Sequence, residues 1–262
     1  LLPDAGKGVE FLLKPDFGKV DRNVFLNALG QSFYSMSIGM GCICTYASYF
    51  SRQTNLFKSA LQISVIDLMV AVLAGLMIFP AAFSVGISPD SGPSLIFITL
   101  PNVFNKAFAA LPVLGWIISL LFYVLLSVAA LTSLMSLHEV NTSFFYEELK
   151  IDRKKGAWIV TISCAIIGAF CSFSLGATDK LTWLGKTLFD WFDFITGQIF
   201  LPMAGLLTCL FLGWYVPKKI LKDEFTNWGT LKGRLFGIYF FLIKFVCPIL
   251  ILLVFLNQFG VL

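Results

Sequence analysis

The sequence predicts an all-α membrane protein with six transmembrane helices, and three observations carry that prediction. Hydrophobic residues make up 58% of the 262 residues and charged residues 13%, with a mean hydropathy of +0.85. A soluble domain averages about a quarter charged, so this much apolar surface would not fit inside one globule. Six stretches supply the roughly 20 mostly apolar residues that a bilayer-crossing helix needs. The Lys and Arg between those stretches fall unevenly on alternate sides. The 28 Phe exclude disordered, collagen-like and disulfide-scaffold classes, and a scattered net charge of +4 excludes nucleic acid as a partner.

In chain order, residues 1–23 hold Pro3, Gly6, Gly8, Pro15 and Gly18 and read as an extracellular loop, with no signal-peptide pattern. The spans follow at 24–50, 59–83, 107–148, 156–178, 187–216 and 235–262. The segment 84–106 reads as an extracellular capping loop. Its apolar part, 91–105, is broken by Pro93 and Pro101 and too short to span, so it reads as a re-entrant or capping hairpin. One side of the membrane collects 11 basic residues, namely Arg52, Lys58, Lys150, Arg153, Lys154, Lys155, Lys218, Lys219, Lys222, Lys232 and Arg234. The other collects 7, namely Lys7, Lys14, Lys19, Arg22, Lys106, Lys180 and Lys186. The richer side is expected to be cytoplasmic, which puts both termini outside. Lys244 lies inside the last span and finds no assignment.

Several residues read as structural. Cys42, Cys44, Cys164, Cys171, Cys209 and Cys247 all fall within apolar spans, with no zinc or redox spacing, and read as small packing residues. The sequon Asn141-Thr142-Ser143 sits at an expected cytoplasmic helix end. His138 is the only histidine, so no catalytic pair or metal cluster of histidines is available.

Two features read as functional, each with a plain alternative. Ser35-Met36-Ser37-Ile38-Gly39-Met40-Gly41 places two Gly and two Ser at mid-membrane depth, where each Gly costs a helix about 1 kcal/mol. Broken backbone there persists only when buried in protein or lining a wet cavity, and its carbonyls and N–H groups can then meet ions and carboxylates. The alternative is close helix packing through small residues. Asp67 lies mid-span, where an acid is costly and usually functional; its alternative is a hydrogen bond pairing two helices. Thr132 and Ser133 commonly bond back to their own helix, and Asp190 and Asp193 read as a solvated helix end.

Gly30-Gln31-Ser32-Phe33-Tyr34-Ser35-Met36-Ser37-Ile38-Gly39-Met40-Gly41, running on to Thr45-Tyr46-Ala47-Ser48-Tyr49, resembles the sixth helix of the neurotransmitter:sodium symporter family. Ala74-Gly75-Leu76-Met77-Ile78-Phe79-Pro80-Ala81 is similar to its seventh helix, and Gly92-Pro93-Ser94-Leu95-Ile96-Phe97-Ile98-Thr99-Leu100-Pro101 to its fourth extracellular loop. Ala129-Ala130-Leu131-Thr132-Ser133 resembles its eighth helix and Phe189-Asp190-Trp191-Phe192-Asp193 the start of its tenth. The matches occur in family order and are nearest to the prokaryotic branch. The family is itself the type example of discontinuous membrane helices. The resemblance implies the leucine-transporter fold, of which this chain would be helices six to eleven: the second inverted repeat plus one extra helix. It also implies a multi-pass protein of the cell membrane, here a prokaryotic inner membrane.

The resemblance further implies two sodium sites. One would take Ser35 and Asp67, the other the Ala129 carbonyl with the Thr132 and Ser133 hydroxyls. Asp67 stands where many members have Asn and need chloride, and Ala71 stands near a position where those members offer Ser, so chloride is not expected. The substrate site would be lined by Tyr34, Ser37, Met40, Ser133 and Leu137, with Tyr34 as an aromatic lid and Met40 in place of a common aromatic. A hydrophobic or aromatic amino acid is the expected substrate. Asp193 matches the extracellular gate acid, and Gln31 the residue that positions its Arg partner. The partners expected are that amino acid, the lipid bilayer and helices one to five, which the chain would lack. A sodium-coupled amino-acid symporter, not an enzyme, is thus the leading expectation. The alternative is a truncated, non-transporting membrane protein or a half-transporter partner. The chain alone is expected to show no uptake, because each site would be half supplied.

Overall fold

The computed structural model describes residues 4–51, 53–84, 86, 100–176, 182–183 and 186–258. The architecture is helical apart from one two-residue antiparallel ladder that pairs Thr182 with Thr187 and Trp183 with Lys186. The helices are α1 (Ala5–Leu13), α2 (Arg22–Ser35), α3 (Cys42–Ser48), α4 (Leu56–Ser84), α5 (Leu100–Ala107), α6 (Pro112–Glu147) and α7 (Arg153–Gly176). They continue as α8 (Leu188–Asp193), α9 (Leu201–Leu210), α10 (Lys218–Phe225), α11 (Phe236–Phe241) and α12 (Cys247–Gln258). Three π-helical segments are spliced between them: π1 (Phe194–Phe200), π2 (Phe211–Tyr215) and π3 (Leu242–Val246).

Among the described residues, five continuous helical runs are long and apolar enough to cross a membrane: Leu56–Ser84, Pro112–Glu147, Arg153–Ser174, Leu188–Tyr215 and Phe236–Gln258. Their apolar side chains point outward, as at Leu68, which is 64% exposed. Such faces are stable only against lipid or another apolar surface. The first expected span, 24–50, is α2 and α3 separated by a break, so it does not count as one continuous helix. The expected span from 107 starts later, because α5 ends at Ala107 and α6 begins anew at Pro112. Proline lacks the N–H that a helix interior needs but is suited to a first turn. Pro80 is tolerated inside α4. Most of the expected capping hairpin at 91–105 lies outside the described residues, and its end belongs to α5.

The chain divides into two compact units. The first comprises Leu1–Val20 and Gln62–Ser133. Residues 1–23, expected to be loop, contain α1, and tertiary packing explains why. Gly8 is buried, and a Cβ on it would fall 2.5 Å from the Pro80 backbone, so only glycine lets α1 lie this close to α4. The Phe11 ring then meets Phe79 at 5.3 Å and Phe83 at 5.6 Å. The second unit comprises Asp21–Leu61 and Leu134–Leu262. Its core is α9 and α12 with α2 laid on them. Leu26, Leu201, Ile251 and Val254 are buried there, and a Cβ on Gly30 would touch Val254 at 3.4 Å.

Candidate functional site

The break between α2 and α3 forms as its sequence predicts, and the structure shows how it is held. The helix α2 closes with the Ile38 N–H donating to the Phe33 carbonyl at 2.9 Å and the Ser37 N–H donating to the Tyr34 carbonyl at 3.1 Å. This is the Schellman pairing, whose pivot residue is usually glycine in the left-handed region. Here the pivot is Ser37, at φ 52°. Two more left-handed residues follow, Gly39 at φ 88° and Gly41 at φ 82°. Gly39 is required twice over, since a Cβ would also fall 2.5 Å from the Leu201 carbonyl of α9. Gly41 precedes α3 and brings no capping side chain to its first turn. The break is therefore packed on protein, the condition for non-helical backbone at membrane depth.

Gln31, Tyr34 and Asp193 are brought together. They line one cavity of about 400 Å³ in the second unit, with Asn27, Gln198, Asn257 and Gln258 among the other walls. Tyr34 is 51% exposed at its edge. Gln258 Oε1 is buried in this wall without a hydrogen-bond partner among the described residues. Asp193 and Asp190 prove different in kind. Asp190 Oδ2 accepts from the Thr187 N–H at 3.0 Å and its hydroxyl at 2.7 Å, while the Thr187 hydroxyl accepts from the Asp190 N–H at 3.1 Å. That is a capping box, and the Thr-x-x-Asp spacing could have revealed it.

The helix α6 carries Ala129, Thr132, Ser133 and Leu137 within little more than two turns. The Thr132 hydroxyl donates to the Ala129 carbonyl at 2.7 Å, which places those two oxygens side by side. Asp67 is half-buried on α4, twelve residues into that helix. Ser35 and Asp67 belong to different units, as do Ser133 and the residues of the break.

A polar cluster escaped the sequence reading. The Tyr46 hydroxyl donates to Ser136 Oγ at 2.5 Å, and the Tyr49 hydroxyl donates to Glu139 Oε1 at 2.8 Å. Arg153 of α7 closes on the same carboxylate at 2.6 Å. The available signal was the spacing of three shared by Tyr46 and Tyr49, at the end of α3, and by Ser136 and Glu139 on α6. His138 bridges Thr161 at 3.0 Å and Thr142 at 3.2 Å, a structural role. Asn141 donates to the Leu137 carbonyl inside α6, so the sequon is helical. Among the described residues no group of three His, Cys, Asp or Glu could hold a metal.

Comparison with known proteins places the chain in a family. A family model described as the Sodium:neurotransmitter symporter family matches residues 1–261. An uncharacterized sodium-dependent transporter of Bacillus subtilis, YhdH, is 36% identical over all of this chain and 57% of its own length. An uncharacterized sodium-dependent transporter of Haemophilus influenzae is 35% identical over 98% of this chain and 55% of its own length. Among solved structures, MhsT in complex with L-phenylalanine superposes with a TM-score of 0.85 at 36% identity, over 98% of this chain and 57% of that one. The chain thus spans a little over half the length of these relatives.

Proposed function

This chain belongs to the Sodium:neurotransmitter symporter family, and on that premise we propose that it supplies substrate and ion contacts to a sodium-coupled symporter of amino acids. The observation that carries the reading is the break at Met36–Gly41, with Tyr34 at its edge on the cavity that also holds Gln31 and Asp193. In this reading α2 and α3 together form a sixth span, and the lysine-rich loops face the cytoplasm of a prokaryotic cell. Substrate is held by Tyr34, Ser37 and Met40 at the break and by Ser133 and Leu137 on α6. One sodium uses Ser35 and Asp67, the other Ala129, Thr132 and Ser133. Asp67 supplies the negative charge itself, so chloride is not needed. Gln31 and Asp193 act as the outer gate.

Binding couples to motion because ions and substrate share the broken segment and α6. Each ligand shifts the population only by its differential affinity for the two states. An apolar substrate is favoured by Met40, whose thioether adapts its shape, and a relative holding L-phenylalanine supports this class.

The test is a chimera with the first five helices of the Bacillus subtilis relative joined ahead of this chain. Labelled L-phenylalanine uptake into proteoliposomes should be competed by other apolar amino acids and not by glycine. Equal competition by glycine contradicts the proposed pocket.

A further inference from the structure

Lys244 lies inside an apolar span, in π3, where a cation is costly and functional by default. Its ammonium stands 4.5 Å from the centre of the Trp214 ring and 5.7 Å from those of Phe240 and Phe245. The cage is built where two π segments meet, Trp214 from π2 and Phe245 from π3, with Phe240 added by α11. The Trp214 indole N–H of π2 donates to the Lys244 carbonyl at 3.3 Å, which ties the ring to the backbone carrying the cation. Gly213 permits the approach, since a Cβ there would fall 2.9 Å from Lys244 Cα. A second ammonium, Lys218 of α10, stands 5.0 Å from the centre of the same Phe240 ring. Isolated π turns concentrate at functional sites, and here two of them serve one cation.

Aromatic faces attract a cation without neutralising it. Among the described residues, ion pairs form at Lys7, Lys14, Lys19 and Arg153, and not at Lys218 or Lys244. Trp214 and Tyr215 end their span 63% and 81% exposed, as aromatics at headgroup level do. The connection 217–235, which contains α10, holds five basic residues, Lys218 among them, against Asp223 and Glu224. A ligand suited to this place must be anionic at its head and apolar behind it. We propose that Lys218 and Lys244, both held against the Phe240 ring, bind the phosphate of an anionic phospholipid. A zwitterionic lipid fits less well, because its own ammonium would face two more cations.

The test compares phosphatidylglycerol with phosphatidylcholine on the purified chain in detergent, by native mass spectrometry and by thermal melting. Wild type and a Lys232→Gln control should retain one phosphatidylglycerol and melt higher with it. The double variant K218Q/K244Q should hold it about tenfold more weakly, and Lys244→Arg should retain it. Equal retention by K218Q/K244Q, an equal response to phosphatidylcholine, or a full response to inorganic phosphate alone would overturn the proposal. Brominated phosphatidylglycerol gives a readout that needs no lysine variant: it should quench a share of tryptophan fluorescence that Trp214→Phe removes. Quenching unchanged by that substitution would also overturn it.

Discussion

Asp190 and Asp193 stand three residues apart at one helix start, and their chemistry divides cleanly. Asp190 is consumed by the Thr187 cap, so Asp190→Ala should cost about 1 kcal/mol of stability; thermal melting checks it. Asp193 opens on the cavity with Gln31 and Tyr34, so Asp193→Asn should leave the melting point nearly unchanged and impair uptake by the chimera. Ser37 offers a sharper split. Its left-handed φ of 52° is a cost that glycine would not bear. Ser37→Gly should therefore raise stability by about 1 kcal/mol while weakening substrate binding through loss of the hydroxyl. Unchanged binding would remove Ser37 from the pocket. For Asp67, Asp67→Asn should make uptake depend on added chloride, and chloride independence in that variant would sink its role as a built-in counter-charge.

At the scale of elements, the break was legible because Gly39 and Gly41 are local signals, and both adopt the left-handed backbone that favours glycine. Gly39→Ala should be severe, since it adds about 1–2 kcal/mol of left-handed strain to a clash with α9; loss of monodisperse protein on size exclusion checks it. The three π segments were not legible, because widening a turn leaves no mark on apolar composition. The helix α1 was hidden for a related reason: its glycines read as loop, whereas Gly8 serves a close contact with α4 that only tertiary structure reveals. The Tyr49–Glu139–Arg153 cluster joins Tyr49 to residues 90 or more positions away on the consecutive helices α6 and α7. Arg153 is 63% exposed there, so Arg153→Met should cost under about 1 kcal/mol.

At the scale of the whole molecule, the apolar composition announces a membrane protein, and the outward-facing apolar side chains of the long helices bear it out. The chain spans 57% of the length of its Bacillus subtilis relative, and the residues read as ion and substrate ligands are distributed over both compact units. The central claim is that sodium drives an amino acid through the site at the break. Its most direct test is L-phenylalanine accumulation by the reconstituted chimera under an inward sodium gradient, repeated with potassium replacing sodium on both sides. Accumulation above the external concentration with sodium, collapsing with potassium, is the predicted result. Equal accumulation in the two cations would contradict the account.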